Sequence, residues 1–148
     1  MDEERIMHQL LLLLPVFGMI TLTVGVALWM LKLRYRAVLK DGVSPAYFKL
    51  NKGAKLPDYL VRVTQHYENL FETPLLFYIA ILFVLVLKQN DWVYIVLAWL
   101  YFVSRLAHAY VHTTYNKIRV RKNVFIVSSV FLLGLWIKLL FDVIANAL

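Results

Sequence analysis

The sequence predicts an all-α integral membrane protein, a four-helix bundle with four transmembrane spans per subunit. Apolar residues fill 61% of the 148 positions, mean hydropathy is +0.67, and the apolar runs are far longer than a soluble core of this size needs. At this length residues 1–148 form a single domain. Cysteine is absent, which removes disulfides, thiolate metal sites and a cysteine nucleophile. The net charge of +7 does not indicate nucleic acid as a partner. Its basic residues cluster between apolar runs, where membrane lipid headgroups and topology account for them.

Taken in order, the chain opens with an acidic segment, Asp2, Glu3 and Glu4, followed by a first span over residues 10–31. A secretory signal needs a basic start, a shorter apolar core and a small-residue cleavage site, so this run reads as a retained span. Gly18 and Gly25 lie seven apart on one face; they either admit a neighbouring helix closely or face lipid. Lys32 to Leu60 is the longest polar connection, broken by Gly42, Pro45, Gly53 and Pro57 and holding a short amphipathic piece around Tyr47 to Leu50.

The second span covers residues 60–87, with Pro74 expected to kink it by freeing a backbone carbonyl. A tight turn at Lys88 to Asp91 sends the third span, 92–115, back antiparallel. Trp92, Tyr94 and Trp99 suit the headgroup level. Asn116 to Lys122 is a short basic turn before the fourth span, 123–145, in which Lys138 and Asp142, four apart, either pair or snorkel.

Loop charge sets the expected orientation. Lys32, Arg34, Arg36, Lys40, Lys49, Lys52, Lys55 and Arg62 lie in or beside the first connection, and Lys117, Arg119, Arg121 and Lys122 in the third. The second turn has only Lys88. Both basic loops are therefore expected in the cytoplasm and both termini on the opposite side.

Two polar stripes interrupt this apolar pattern. Arg62, His66, Asn69 and Glu72 recur every three or four residues at the start of the second span, and Tyr101, Arg105, His108, His112 and Tyr115 do so on the third. Polar groups at membrane depth are costly and read as site candidates. At about 1.5 Å per residue, Glu72 and Arg105 reach comparable depths, so they are expected to face each other within a subunit or across an interface. Both stripes end in cations toward the basic side. The implied feature is a cationic cleft at the cytoplasmic face, suited to a small anionic ligand. His108 and His112 also have metal-ligand spacing, and His66 offers a third nitrogen. With four histidines in the chain and no acid on that helix, no metal is assigned.

These residues resemble the MAPEG family, the membrane-associated proteins in eicosanoid and glutathione metabolism, over nearly the whole chain. Asn69, Glu72, Pro74 and Phe77 match the family's second-span signature. Arg105 and His108 match that of the third span, His112 stands at its last position, and Arg119 and Arg121 lie at the following turn. NLFETPLLFY with RLAHAYVHTTYN is similar to a bacterial branch, for which the inner membrane is implied.

The resemblance implies a homotrimer with glutathione between subunits near the cytoplasmic face. It implies that Asn69 and Glu72 bind the tripeptide with support from Arg105, beside Arg62, His66, His108 and His112. Arg119 or Arg121 would then lower the thiol pKa for attack on a lipophilic substrate in the bilayer, as a transferase or peroxidase. Two positions depart from the pattern: Gln65 stands where relatives place arginine, and His112 where they place tyrosine. A second reading stands beside this one, a non-catalytic membrane assembly, or a lipid- or partner-binding protein, in which the same polar residues fix helix register.

Overall fold

The computed structural model describes residues 2–50 and 55–147; Lys52 and Gly53 of the first connection lie outside the described residues. The chain folds as α1 (Asp2–Lys40), α2 (Tyr47–Leu50), α3 (Asp58–Asn69), α4 (Thr73–Val86), α5 (Trp92–Thr113) and α6 (Ile118–Ala147). Helices α1, α5 and α6, together with the α3–α4 pair, give four segments long and apolar enough to cross a membrane.

Apolar side chains fill the interior and also cover the outer surface, and a few polar groups are buried among them. Phe17, Leu28, Val86 and Phe141 are each at least 60% exposed, whereas Arg105 and His66 are fully buried. Water would penalise such an outer surface, and lipid does not. The protein is a multi-pass membrane protein. Helix α5 is the central element, packed on α6, α1 and α3.

Helix α1 is longer than its apolar run. The segment expected to leave the helix at Lys32 continues to Lys40, because no glycine or proline intervenes before Gly42 and the buried Ala37 packs on the core. Gly42, at φ +68°, ends it, and the Val43 N–H reaches back to the Ala37 carbonyl at 3.1 Å. Only glycine takes that backbone conformation without strain. At about 1.5 Å per residue the extension raises Lys32 to Lys40 as a helical post above the apolar layer.

The second span is two helices rather than one kinked helix. The chain leaves helical geometry at Leu70 to Glu72, upstream of Pro74, which then sits in the first turn of α4. Proline is tolerated there because the first-turn N–H has no intrahelical acceptor. Helix α6 starts five residues earlier than the apolar run suggests, so Arg119, Arg121 and Lys122 lie in its first turns and not in a loop. Asn116, at φ 47°, makes the preceding turn, a conformation that asparagine tolerates better than most residues.

The α4–α5 turn is closed by Lys88 at φ 55°, with Lys88 N–H to Leu85 and Gln89 N–H to Val84. This is the paired-bond helix stop usually built on glycine. The Asp91 carboxylate accepts from the Val93 N–H and caps α5. Of the aromatics expected at the headgroup level, Tyr94 and Trp99 hydrogen-bond to other helices of the bundle. Tyr94 is buried with its hydroxyl donating to Asp142 at 2.5 Å, and Trp99 donates to the Leu11 carbonyl at 3.1 Å. Trp92 is exposed and stacks edge-on against His8. Lys138 pairs with Asp142 at 2.6 Å and also with Asp91 at 2.9 Å, so its ammonium joins α6 to the α4–α5 turn.

Candidate functional site

The two polar stripes meet between α3 and α5. His66 from α3 and His108 and His112 from α5 form a triangle of rings with centroids 5.3 to 5.8 Å apart. One turn of spacing on α5 and one residue on α3 suffice to build it, because i and i+4 share a helix face. All three imidazoles are essentially buried. Phe125 of α6 covers the group, 5.7 Å from the His108 ring and 5.9 Å from the Arg105 guanidinium.

Arg105 is the largest fully buried side chain among the described residues. Its Nη2 donates to the Asn69 backbone carbonyl at 3.2 Å. An intact helix would bond that carbonyl to the N–H four residues on, at Thr73, so the break between α3 and α4 creates the acceptor that Arg105 uses. Nε and Nη1 remain without a protein partner. Both ring nitrogens of His66 and of His108, and Nδ1 of His112, are likewise buried and unpartnered. The unmatched guanidinium donors call for acceptors from outside the chain, water included, since an unpaired buried charge or donor is costly.

Arg121 completes the basic side. Its Nη1 donates to Asn116 Oδ1 at 2.9 Å and lies 3.4 Å from His112 Nε2. Arg62 donates to the Thr114 carbonyl at 2.9 Å, locking α3 to the end of α5.

Several predicted residues are not brought into this group. Glu72 is exposed and makes no ion pair with Arg105 within the chain, although it lies near enough for its charge to act on the guanidinium; Arg105 bonds the Asn69 carbonyl instead. Among the described residues, ion pairs form only at Lys138. Arg119 is exposed and apart from the histidines. Gln65 is also exposed and lies on another face, where it lines a pocket of about 250 Å³ with Arg34 and Glu68.

The expected open cleft is therefore two features in one subunit. One is a buried core of Arg105 and the three histidines, and the other is an exposed polar face carrying Gln65 and Glu68. Sequence reasoning missed Asn116 and Arg34. Asn116 was legible as a left-handed turn residue five positions before Arg121. Arg34 was legible only if Leu33 and Ala37, four apart, are taken to continue α1.

The donor set fits an anionic group. Arg105 keeps two free nitrogens, Arg121 stands at the basic end, and Asn69 supplies an amide at the helix break. No three-residue group among the described residues has a metal-holding arrangement.

Fold and site together define a class: a four-span helical membrane protein that keeps arginine and histidine in its interior and apolar side chains on its surface. The chain belongs to the MAPEG family, whose family model matches residues 12–141. Comparison with curated proteins and with solved structures gave no match.

Proposed function

We propose that this protein binds glutathione or a related thiol and conjugates it through its sulfur to lipophilic electrophiles at the cytoplasmic membrane face. The observation that carries the reading is Arg105, fully buried, with Nε and Nη1 lacking partners and no carboxylate paired to it. A carboxylate of the tripeptide supplies the missing acceptor, and a charge-assisted bond to a buried guanidinium is among the strong ones. Family membership supports the same ligand class.

In this reading the protein is a homotrimer. The exposed Gln65, Glu68 and Glu72 face of one subunit meets the arginine-bearing side of the next, so Glu72 finds its cation across the interface. Both basic loops face the cytoplasm. Arg121, held by Asn116, is favoured over the exposed Arg119 as the cation beside the sulfur. The thiol proton leaves to water, the thiolate attacks the carbon bearing a leaving group, an S–C bond forms, and the leaving group departs as its anion. A cation near the sulfur favours the thiolate.

A second reading is supported by a separate observation. Arg105 caps the broken end of α3 through the Asn69 carbonyl, and the histidines are closed off by Phe125. A purely structural network in a non-catalytic assembly would look the same.

Glutathione binding by the detergent-purified protein, followed by conjugation to an electrophilic aromatic halide, separates the two. Saturable binding that Arg121→Gln weakens at least tenfold while the oligomer persists supports the transferase. If no binding saturates, and Arg105→Ala only dissociates the oligomer, the structural network stands.

A further inference from the structure

A groove of about 610 Å³ runs between α1 and α5, with Gly18, Gly25 and Trp29 on one side and Phe102, Tyr110 and Thr113 on the other. Each helix borders it over about eleven residues, or about 16 Å at 1.5 Å per residue. That is close to half of the roughly 30 Å apolar core of a bilayer, the depth of one leaflet. A Cβ on Gly25 would meet nothing within 4 Å, so the groove is open there. The Thr21 and Thr113 hydroxyls bond back to the Phe17 and Ala109 carbonyls at 2.8 and 2.7 Å. Neither hydroxyl asks for a partner from the groove, and the lining suits an alkyl chain.

One end of the groove leads to charge. Gly18, Gly25 and Lys32 recur every seven residues on α1, as do Trp29 and Arg36, and seven residues are close to two helical turns. The α1 wall therefore continues into Lys32 and Arg36, both exposed. Arg36 lies over the Tyr59 ring, 5.0 Å from its centre, which holds the guanidinium in place. Among the described residues neither cation is in an ion pair. No acid occurs on α1 from Gly18 to Lys40 or anywhere on α5 to neutralise them. Trp29 and Tyr110, both exposed, flank the junction of the apolar and charged parts, where amphipathic rings settle in a bilayer.

The groove opens away from the histidine core and from the face that carries Gln65 and Glu68. Arg34, which lines the pocket on that face, is two residues from Lys32 and so about 200° round α1. Tyr110 is two residues from both His108 and His112, about the same angle round α5, and is exposed where they are buried.

We infer that the α1–α5 groove holds an acyl chain of an anionic phospholipid whose phosphate is bound by Lys32 and Arg36. Exchanging one lipid contact for another gives no hydrophobic gain, so packing in the groove and the two cations decide the occupant. A zwitterionic lipid fills the groove equally well but brings an ammonium to the level of Lys32 and Arg36. The site does not rest on the glutathione reading.

The test uses the full chain purified in detergent, with lipid binding measured by native mass spectrometry and by thermal unfolding. Phosphatidylglycerol and phosphatidylcholine with the same acyl chains are added separately. The wild-type protein should bind phosphatidylglycerol about ten- to thirtyfold more tightly than phosphatidylcholine, the preference that two basic residues at headgroup level supply. Lys32→Gln combined with Arg36→Gln should erase that preference and leave phosphatidylcholine bound as before. Gly25→Leu, which projects into open space, should weaken both lipids while its unfolding midpoint without lipid stays at or above that of the wild type.

Equal binding of the two lipids by the wild type, or a phosphatidylglycerol preference that survives the double substitution, would overturn the role of the cations. Lipid binding unchanged in Gly25→Leu would overturn the groove as its seat. If that variant instead dissociates the oligomer, the groove holds a helix of a second copy and the lipid assignment fails.

Discussion

Gly18 and Gly25 share a face of α1 yet meet different surroundings, so alanine at each gives a controlled comparison. A Cβ on Gly18 would stand 2.5, 2.7 and 3.1 Å from ring atoms of Phe102 on α5, whereas a Cβ on Gly25 would meet nothing within 4 Å. Ordinary carbon contacts begin near 3.5 Å, so the Phe102 ring must move by about 1 Å to admit the methyl group. Overpacking of this size costs about 1–3 kcal/mol. Phe102 borders an apolar groove of about 610 Å³ that also adjoins Gly18; the ring can swing into it, which places the cost in the lower half of that range. Both substitutions gain about 1 kcal/mol of helix propensity, so this gain cancels in the difference. Gly25→Ala is therefore expected to exceed Gly18→Ala in stability by about 1–2 kcal/mol. Equilibrium unfolding in mixed micelles, followed by circular dichroism, measures it, and Phe102→Leu should restore much of the loss in Gly18→Ala. If Gly18→Ala unfolds at or above the Gly25→Ala midpoint, the close α1–α5 approach is not a real constraint.

Two further outcomes are expected. Lys138, and after it the Val93 N–H, hold the Asp91 carboxyl below the usual carboxylate range. A depressed folded pKa contributes stability above the unfolded value, about 3.9, and that contribution is lost as pH falls through the folded value. Asp91 is 43% exposed, so screening confines the effect to about 1 kcal/mol or less. Unfolding midpoints measured from pH 6 to pH 2.5 should fall less steeply for Asp91→Asn than for the wild type, and parallel curves would remove the clamp from the acid response. Gln65→Arg adds a cation to the exposed face that carries Glu68 and Glu72. Calorimetry should show glutathione bound about two- to fivefold more tightly, the range of an exposed ion pair; unchanged or weaker binding would mean that the tripeptide does not reach this face.

The membrane class and four spans were legible because long apolar runs have few alternatives in water or lipid. The meeting of the two polar stripes was legible too, since periodicity alone places His66, His108 and His112 on facing helix sides. What was not legible follows from local backbone events. Hydropathy marks where lipid ends and not where a helix ends, so α1 and α6 ran past their apolar segments into Lys40 and back to Ile118. The break in the second span was expected at Pro74 but falls at Leu70 to Glu72, because a proline can serve as a first-turn residue as readily as it can kink an interior.

That break decides the site. A continuous helix through Glu72 would keep it on the stripe with His66 and Asn69, pointed at Arg105, and the buried guanidinium would be neutralised within the chain. With the helix interrupted, the Asn69 carbonyl is released to Arg105 and Glu72 is left exposed. One backbone carbonyl carries only a partial charge, so Arg105 retains most of its demand for an anion. Glu72 is exposed and acts on Arg105 only at a distance, without an ion pair, so its carboxylate keeps room for a further partner. The same few residues thus leave a cation unsatisfied inside and an acid unsatisfied outside, and a partner that supplies both complements at once gains more than either alone. In the function proposed above, that partner is a ligand bound between subunits.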